Sequence, residues 1–145
     1  MSNWFEFDES ASVWGDADGN YLPPPWRVVA APSVLAWFNQ VIFTDDQLTN
    51  LATTALRTLR ENGPTLGRPY VDHIKGSKIN NLKELRFGSS ELGAFRVLFV
   101  FDPQRTAVLL ASGDKSGQWS NWYARAIRTA EERYAQYLAT EGTWA

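Results

Sequence analysis

The chain has 145 residues, no cysteine and a formal net charge of −2. A domain of this length buries most of its apolar surface without disulfides, and the lack of thiols excludes a cysteine nucleophile, a disulfide framework and a Cys-based metal site. The sequence has no apolar run near the roughly 18 residues that cross a bilayer, and its acidic start lacks the features of a signal peptide. We therefore expect a cytoplasmic protein with no membrane partner.

The charge is unevenly distributed along the chain. Residues 1–25 contain five acids and no Lys or Arg, which leaves 14 basic and 11 acidic side chains for residues 26–145. Between Gly67 and Lys115, eight Lys or Arg stand against five acids, a local surplus that suits a polyanion. The chain thus divides into an acidic, aromatic-containing N-terminal arm, residues 1–25, and a basic domain, residues 26–145. The arm either packs as ordinary structure, docks a partner chain or masks the basic face.

The predicted elements begin after the arm. Residues 26–30 predict a short strand, and apolar residues at helical spacing after Ser33 predict a first helix. A second helix runs from Thr44, which forms a capping box with Gln47, to the stop at Asn62-Gly63-Pro64. Together they form a helical hairpin.

The period then changes to that of strands. Residues 81–87, 95–101 and 106–111 predict three strands, and the last two are rich in aromatic and β-branched side chains and apolar on both faces. Residues 120–138 return to helical spacing. The order β-α-α-β-β-β-α predicts an α+β fold with helices packed on a mostly antiparallel sheet.

Several segments in this order resemble the HigB-like branch of the RelE/ParE toxin superfamily. They are Gly67-Arg68-Pro69, His73-Ile74-Lys75-Gly76-Ser77, Leu82-Lys83-Glu84-Leu85-Arg86, Phe95-Arg96-Val97-Leu98-Phe99, Ala107-Val108-Leu109-Leu110 and Gly113-Asp114-Lys115. The resemblance covers about residues 26–138 and leaves the arm outside. It implies two N-terminal helices and a C-terminal helix on a small curved sheet, in the toxin of a type II toxin–antitoxin pair whose partner is a helix-turn-helix antitoxin.

The resemblance also implies an activity. HigB- and RelE-type members cleave mRNA in the ribosomal A site without a metal ion, whereas ParE-type relatives inhibit DNA gyrase and are not nucleases. This chain is accordingly expected to be a ribosome-dependent endoribonuclease, or mRNA interferase, which blocks translation with the ribosome and mRNA as partners and needs no cofactor. Two alternatives stay open: a non-enzymatic gyrase inhibitor and an inactive member that only binds protein.

Four residues are candidates for the chemistry of RNA cleavage. Attack by a ribose 2′-oxygen needs positive charge at the phosphorane, which arginine supplies well, and Arg96 and Arg86 are the candidates. We expect Arg96 to be exposed on a concave face, because burial of a guanidinium without an anion is costly. Lys115 supplies charge or a proton to the leaving oxygen. His73, as the single histidine, is a candidate general acid or base.

Three of these residues also have a structural alternative. Arg86 can pair with Glu84 or Glu91, Lys115 can pair with adjacent Asp114 or be simply solvated, and a lone histidine is more often structural.

Further residues are candidates for holding RNA. Lys75, Lys78 and Lys83 would contact phosphates, although solvation at the surface explains Lys75 and Lys78 equally well. Trp119 and Tyr123, one helical turn apart, would stack on bases, with core packing as the alternative. One histidine, no cysteine and scattered acids predict no metal site, and no Gly-rich nucleotide loop is present.

Overall fold

The computed structural model describes residues 4–7, 26–116 and 119–140. Its strands are β1 (Phe5–Glu6), β2 (Arg27–Ala30), β3 (Val71–His73), β4 (Lys83–Ser89), β5 (Gly93–Asp102) and β6 (Thr106–Asp114). Its helices are α1 (Pro32–Trp37), α2 (Asp46–Asn62) and α3 (Trp119–Thr140). The α+β class predicted from the sequence is confirmed.

The strands form one sheet in the order β1-β2-β6-β5-β4-β3. All neighbours are antiparallel except β2 and β6, which run parallel with Val28 opposite Ala107. Parallel pairing needs a crossover, and the chain between β2 and β6 contains both helices of the hairpin and three strands. The sheet is therefore mixed, and β6 extends beyond the end of β2 toward Asp114.

The helical hairpin differs from the prediction at its turn. Helix α1 continues as a π-helical segment, Phe38–Ile42, and the side chain of Asp45 caps α2 by accepting a hydrogen bond from the Leu48 N–H at 2.9 Å. The predicted Thr44–Gln47 capping box is wrong, since the Thr44 hydroxyl donates to the carbonyl of Val41. Asp45 has the extended backbone that a cap requires, and α2 starts directly after it.

Two apolar cores cover the two faces of the sheet. One lies under α1 and α2 and includes Val34, Leu56, Leu85, Val97 and Phe99. The other lies under α3 and is formed by alternate strand residues with the inner face of that helix, including Leu98, Val108, Leu110, Ala126 and Tyr137. The prediction that β5 and β6 are covered on both faces is confirmed.

The sheet contains two strands that the sequence pattern did not indicate, β1 and β3. In β1, Glu6 forms an ion pair with Arg27 at 3.0 Å, and the next carbonyl, that of Phe7, accepts a 2.6 Å hydrogen bond from the buried guanidinium of Arg60. The start of the arm therefore packs on the edge of the sheet formed by β2. The acids at 8, 9, 16 and 18, on which the masking hypothesis depends, lie outside the described residues.

Within the described parts of the chain, no helix combines the length and apolar character needed to cross a membrane.

Candidate nucleic-acid interface

Strand pairing brings three of the predicted basic residues together. Arg86 on β4 lies directly opposite Arg96 on β5. Lys115 joins them where β6 ends, because its backbone N–H donates to the carbonyl of Ala94 at 2.9 Å. We call Arg86, Arg96 and Lys115 the basic cluster, and it lies on the face of the sheet that α3 covers.

Arg96 is buried, with 7% of its surface exposed, so the expectation of an exposed concave position is wrong. Its Nε lies 2.9 Å from Oε1 of Glu84, which is equally buried, and its Nη1 donates to the carbonyl of Phe95 at 2.8 Å. The Nε–H does not point at the carboxylate with hydrogen-bond geometry, so the contact is an ion pair held by charge and proximity. The neighbouring strand supplies the anion that makes burial of this guanidinium tolerable.

Glu84 also binds α3. Its Oε1 accepts a 2.6 Å hydrogen bond from the phenol of Tyr123. Burial, followed by the hydrogen bond to Glu84, raises the pKa of Tyr123 to about 12, so this phenol stays protonated at neutral pH. Tyr123 thus ties α3 to the ion pair, although the sequence had suggested it for base stacking. The side chain of Trp119 lies outside the described part of the chain.

Lys115 lies over the Tyr123 ring. Its Nζ is 5.9 Å from the centre of the Tyr123 ring. Partial burial lowers the pKa of Lys115, and repulsion by Arg96 and Arg86 lowers it further against the opposing attraction of Glu84. An ammonium held in this way releases its proton more readily than a solvated lysine does.

Arg86 differs from Arg96 in having its charge available. It is half-buried, and within residues 4–7, 26–116 and 119–140 its guanidinium forms no ion pair. Neither Glu84 nor Glu91 pairs with it, and Glu84 is already bound by Arg96. Arg86 is therefore the member of the cluster best placed to bind an added anion.

A cleft of about 600 Å³ opens beside the two arginines. Its walls include Tyr70, which the sequence reading missed, and the β4–β5 hairpin. At Gly88 the backbone has φ +133°, and an added Cβ would lie 2.0 Å from the carbonyl oxygen of Gly93. This close approach within the hairpin needs glycine.

His73 and Lys83 lie on the opposite face of the sheet. The two residues are register partners on β3 and β4, and successive strand residues alternate between faces. Lys83 is buried, with its Nζ 3.4 Å from the carbonyl oxygen of Pro64 and 5.3 Å from the Phe101 ring centre, and burial lowers its pKa. A buried position does not fit the predicted RNA contact of Lys83. His73 is exposed and is not part of the cluster.

Lys75 and Lys78 are exposed in the loop between β3 and β4. The carboxylate of Glu131 on α3 holds this loop, accepting from the Ser77 hydroxyl at 2.9 Å and from the Lys78 N–H at 2.7 Å. Both lysine side chains are therefore presented on a fixed loop at the side of α3, and their contact with RNA stays a prediction. Across the described residues, no group of three His, Asp or Glu is close enough to hold a metal ion.

Glu84 is a neighbour of the cluster that the sequence suggested only as an alternative ion-pair partner of Arg86, whereas it pairs with Arg96. The alternation of Leu82-Lys83-Glu84-Leu85-Arg86 does put Glu84 and Arg86 on one face. Only the pairing register, however, makes Arg96 the arginine next to the carboxylate.

Comparison with known proteins gives a family. The model for phage-derived Gp49-like proteins (DUF891) matches residues 43–135. In Mycobacterium tuberculosis (strain ATCC 25618 / H37Rv), the protein named "Putative toxin HigB3" is 41% identical over 114 residues, which are 79% of this chain and 95% of that protein. "Putative toxin HigB2" of the same organism is 43% identical over 106 residues, 73% of this chain, and the chain spans about half (51%) of its length. No solved structure matches the chain. The family match covers more than half of the residues, and the chain belongs to the phage-derived Gp49-like family.

Proposed function

We propose that this protein is the toxin of a type II toxin–antitoxin pair and that it blocks translation by cleaving mRNA on the ribosome. Two relatives of high identity carry toxin names of the HigB type. The layout of two helices on one face of the sheet and a C-terminal helix on the other suits the RelE/ParE-like fold that the sequence resemblance implies. The proposal includes a cytoplasmic location and a helix-turn-helix antitoxin as partner.

The observation that supports the proposal best is the basic cluster beside the cleft. Arg86 faces the cleft with no ion pair among the described residues, and Lys115 stands next to it with a lowered pKa. A guanidinium can bind two oxygens of a phosphate at once, so Arg86 would hold the scissile phosphate and stabilise the phosphorane. Lys115 would protonate the departing 5′-oxygen as its bond to phosphorus breaks. The attacking ribose 2′-oxygen would bond to phosphorus and give its proton to solvent water, which leaves a 2′,3′-cyclic phosphate.

Arg96 would have a positioning role in this scheme. Its guanidinium is bound by Glu84 and by the Phe95 carbonyl, so it adds positive potential to the cluster without reaching out of it. The Glu84–Tyr123 hydrogen bond would hold the Tyr123 ring in place, and the ring would position the Lys115 ammonium that lies over it. Tyr70 in the wall of the cleft offers a ring on which a base can stack.

The test is expression of the full chain from an inducible promoter without an antitoxin. We expect incorporation of labelled amino acids to fall while DNA synthesis continues, and sequencing of mRNA 5′ ends to show new cleavage sites within coding regions. Arg86→Ala should abolish both effects. Arg128→Ala, an exposed arginine on α3, is the matched control and should behave as wild type.

Two outcomes would replace the proposal. Arrest of DNA synthesis with continued translation would favour the gyrase-inhibitor alternative. Growth arrest that is equally strong in Arg86→Ala, with intact mRNA, would favour a protein-binding member without nuclease activity.

A further inference from the structure

A second groove lies at the sheet edge where β2 stops and β6 continues. Strand β2 pairs with β6 only as far as Leu109. Beyond that point, α1 lies beside the edge of β6 on one face of the sheet, and α3 crosses the opposite face. The groove between these elements has a volume of about 450 Å³ and is lined by Ser33, Trp37, Ser112, Arg125, Thr129 and Arg133, among others. We call it the β6-edge groove.

We propose that the β6-edge groove binds the sugar-phosphate backbone of single-stranded RNA, in continuation of the strand held at the basic cluster. This inference rests on the proposed function and adds to it a positioning site on a different flank of α3.

The residues of α3 that line the groove form one stripe. Trp122, Arg125, Thr129 and Arg133 recur at intervals of three or four residues, so they share a face of the helix. The two arginines are eight positions apart, which corresponds to about 12 Å along the helix axis. The stripe thus presents two guanidiniums and, between them, a hydroxyl, which are groups that bind phosphate and ribose oxygens.

The charge of the groove favours an anion. Among the described residues that line it there are two arginines and no Asp or Glu. Arg133 is half-buried, and within the described residues its guanidinium forms no ion pair. The other polar groups are the hydroxyls of Ser33, Ser112 and Thr129, and Trp37 adds a half-buried ring for a base.

The groove lies next to the basic cluster at the end of β6. Ser112 lines the groove, Gly113 follows, and Lys115 belongs to the cluster two residues later. At Gly113 an added Cβ would lie 2.3 Å from the indole nitrogen of Trp122, so α3 sits tightly against β6 at this point. Adjacent α3 residues separate the two sites: Trp122 faces the groove, and Tyr123 faces the cluster. A strand that passes the start of α3 would therefore contact both.

The test uses the full chain and a 5′-labelled 12-nucleotide single-stranded RNA, with fluorescence anisotropy recorded between 50 and 300 mM salt. One lost phosphate contact lowers the salt slope of the log affinity by about 0.7, which is about fivefold in affinity at 0.1 M salt. Arg133→Ala should show both effects. Arg128→Ala, which removes the same charge from the exposed side of the same helix, should stay within about twofold of wild type.

Three results would overturn the inference. Equal affinities of Arg133→Ala and Arg128→Ala would show that only net charge matters. If the wild-type chain does not bind RNA, single-stranded RNA is not the ligand of the groove. If Arg133→Ala no longer binds a polyglutamate peptide that the wild-type chain binds, while its affinity for RNA is unchanged, the groove is a surface for an acidic protein.

These binding results are separate from the proposed nuclease function. If mRNA stays intact in cells while Arg133→Ala still weakens RNA binding in vitro, the nuclease proposal fails and the groove stands. If Arg86→Ala abolishes cleavage but Arg133→Ala binds RNA like the control, the groove fails and the nuclease proposal stands.

Discussion

Replacing Arg96 with alanine should destabilise the protein strongly, because its guanidinium is the charge partner of a buried carboxylate. Arg96 and Glu84 each expose 7% of their surface, and their charged atoms lie 2.9 Å apart. Removing one partner of a buried ion pair typically costs about 3–5 kcal/mol, since the other charge is left uncompensated. Stability of a domain this size is about 0.05–0.15 kcal/mol per residue, so the loss is a large fraction of the total.

The measurement is urea unfolding monitored by tryptophan fluorescence, together with a thermal melt. About 2–4 °C of melting temperature is lost per kcal/mol in a domain of this size, so Arg96→Ala should melt about 10 °C lower. The double variant Arg96→Met/Glu84→Gln removes both charges while keeping volume, and it should recover most of the loss. Arg68→Ala is the control, because Arg68 pairs with Asp72 at 2.6 Å on the surface with 73% of its side chain exposed, and it should cost at most about 1 kcal/mol.

An Arg96→Ala protein that unfolds within about 1 kcal/mol of wild type would refute this reasoning. It would mean that Glu84 and Tyr123 are stable together without the guanidinium. Loss of cleavage in Arg96→Ala would then be attributable to the chemistry itself and not to the fold.

Three further predictions concern other parts of the molecule. The amine of Lys115 should titrate below the ordinary lysine range in NMR of the dimethylated protein, since burial and two arginines disfavour its charged form. Trp4→Ala should lower the free energy of unfolding by about 1–3 kcal/mol, because it removes the edge contact with Tyr137, at 5.0 Å between ring centres. The control Phe5→Ala should be near neutral, because this side chain is 46% exposed. Lys83→Ala should reduce stability in urea unfolding and leave RNA affinity unchanged, because its ammonium is used inside the fold.

The sequence alone determined the class of fold and most of its elements. The switch from helical to strand periodicity marked the hairpin of helices, the central strands and α3, because burial of one face imposes a period of 3.6 on a helix and burial of both faces makes a strand apolar throughout. The same reading missed β1 and β3. These strands have two and three residues, too few to carry a period, and they exist only because a longer neighbour pairs with them.

The composition of the site was also visible in the sequence, but its geometry was not. The basic surplus between Gly67 and Lys115 pointed to Arg86, Arg96 and Lys115, and the structure brings these three together. Which of them is buried was decided by the register of β4 against β5, which puts Arg96 beside Glu84 and leaves Arg86 toward the cleft. Because side chains alternate along a strand, His73 and Lys83 lie on the face opposite the basic cluster. Shifting the strand pairing by one residue moves a side chain to the opposite face of the sheet. The pairing register is set by contacts between segments far apart in the chain.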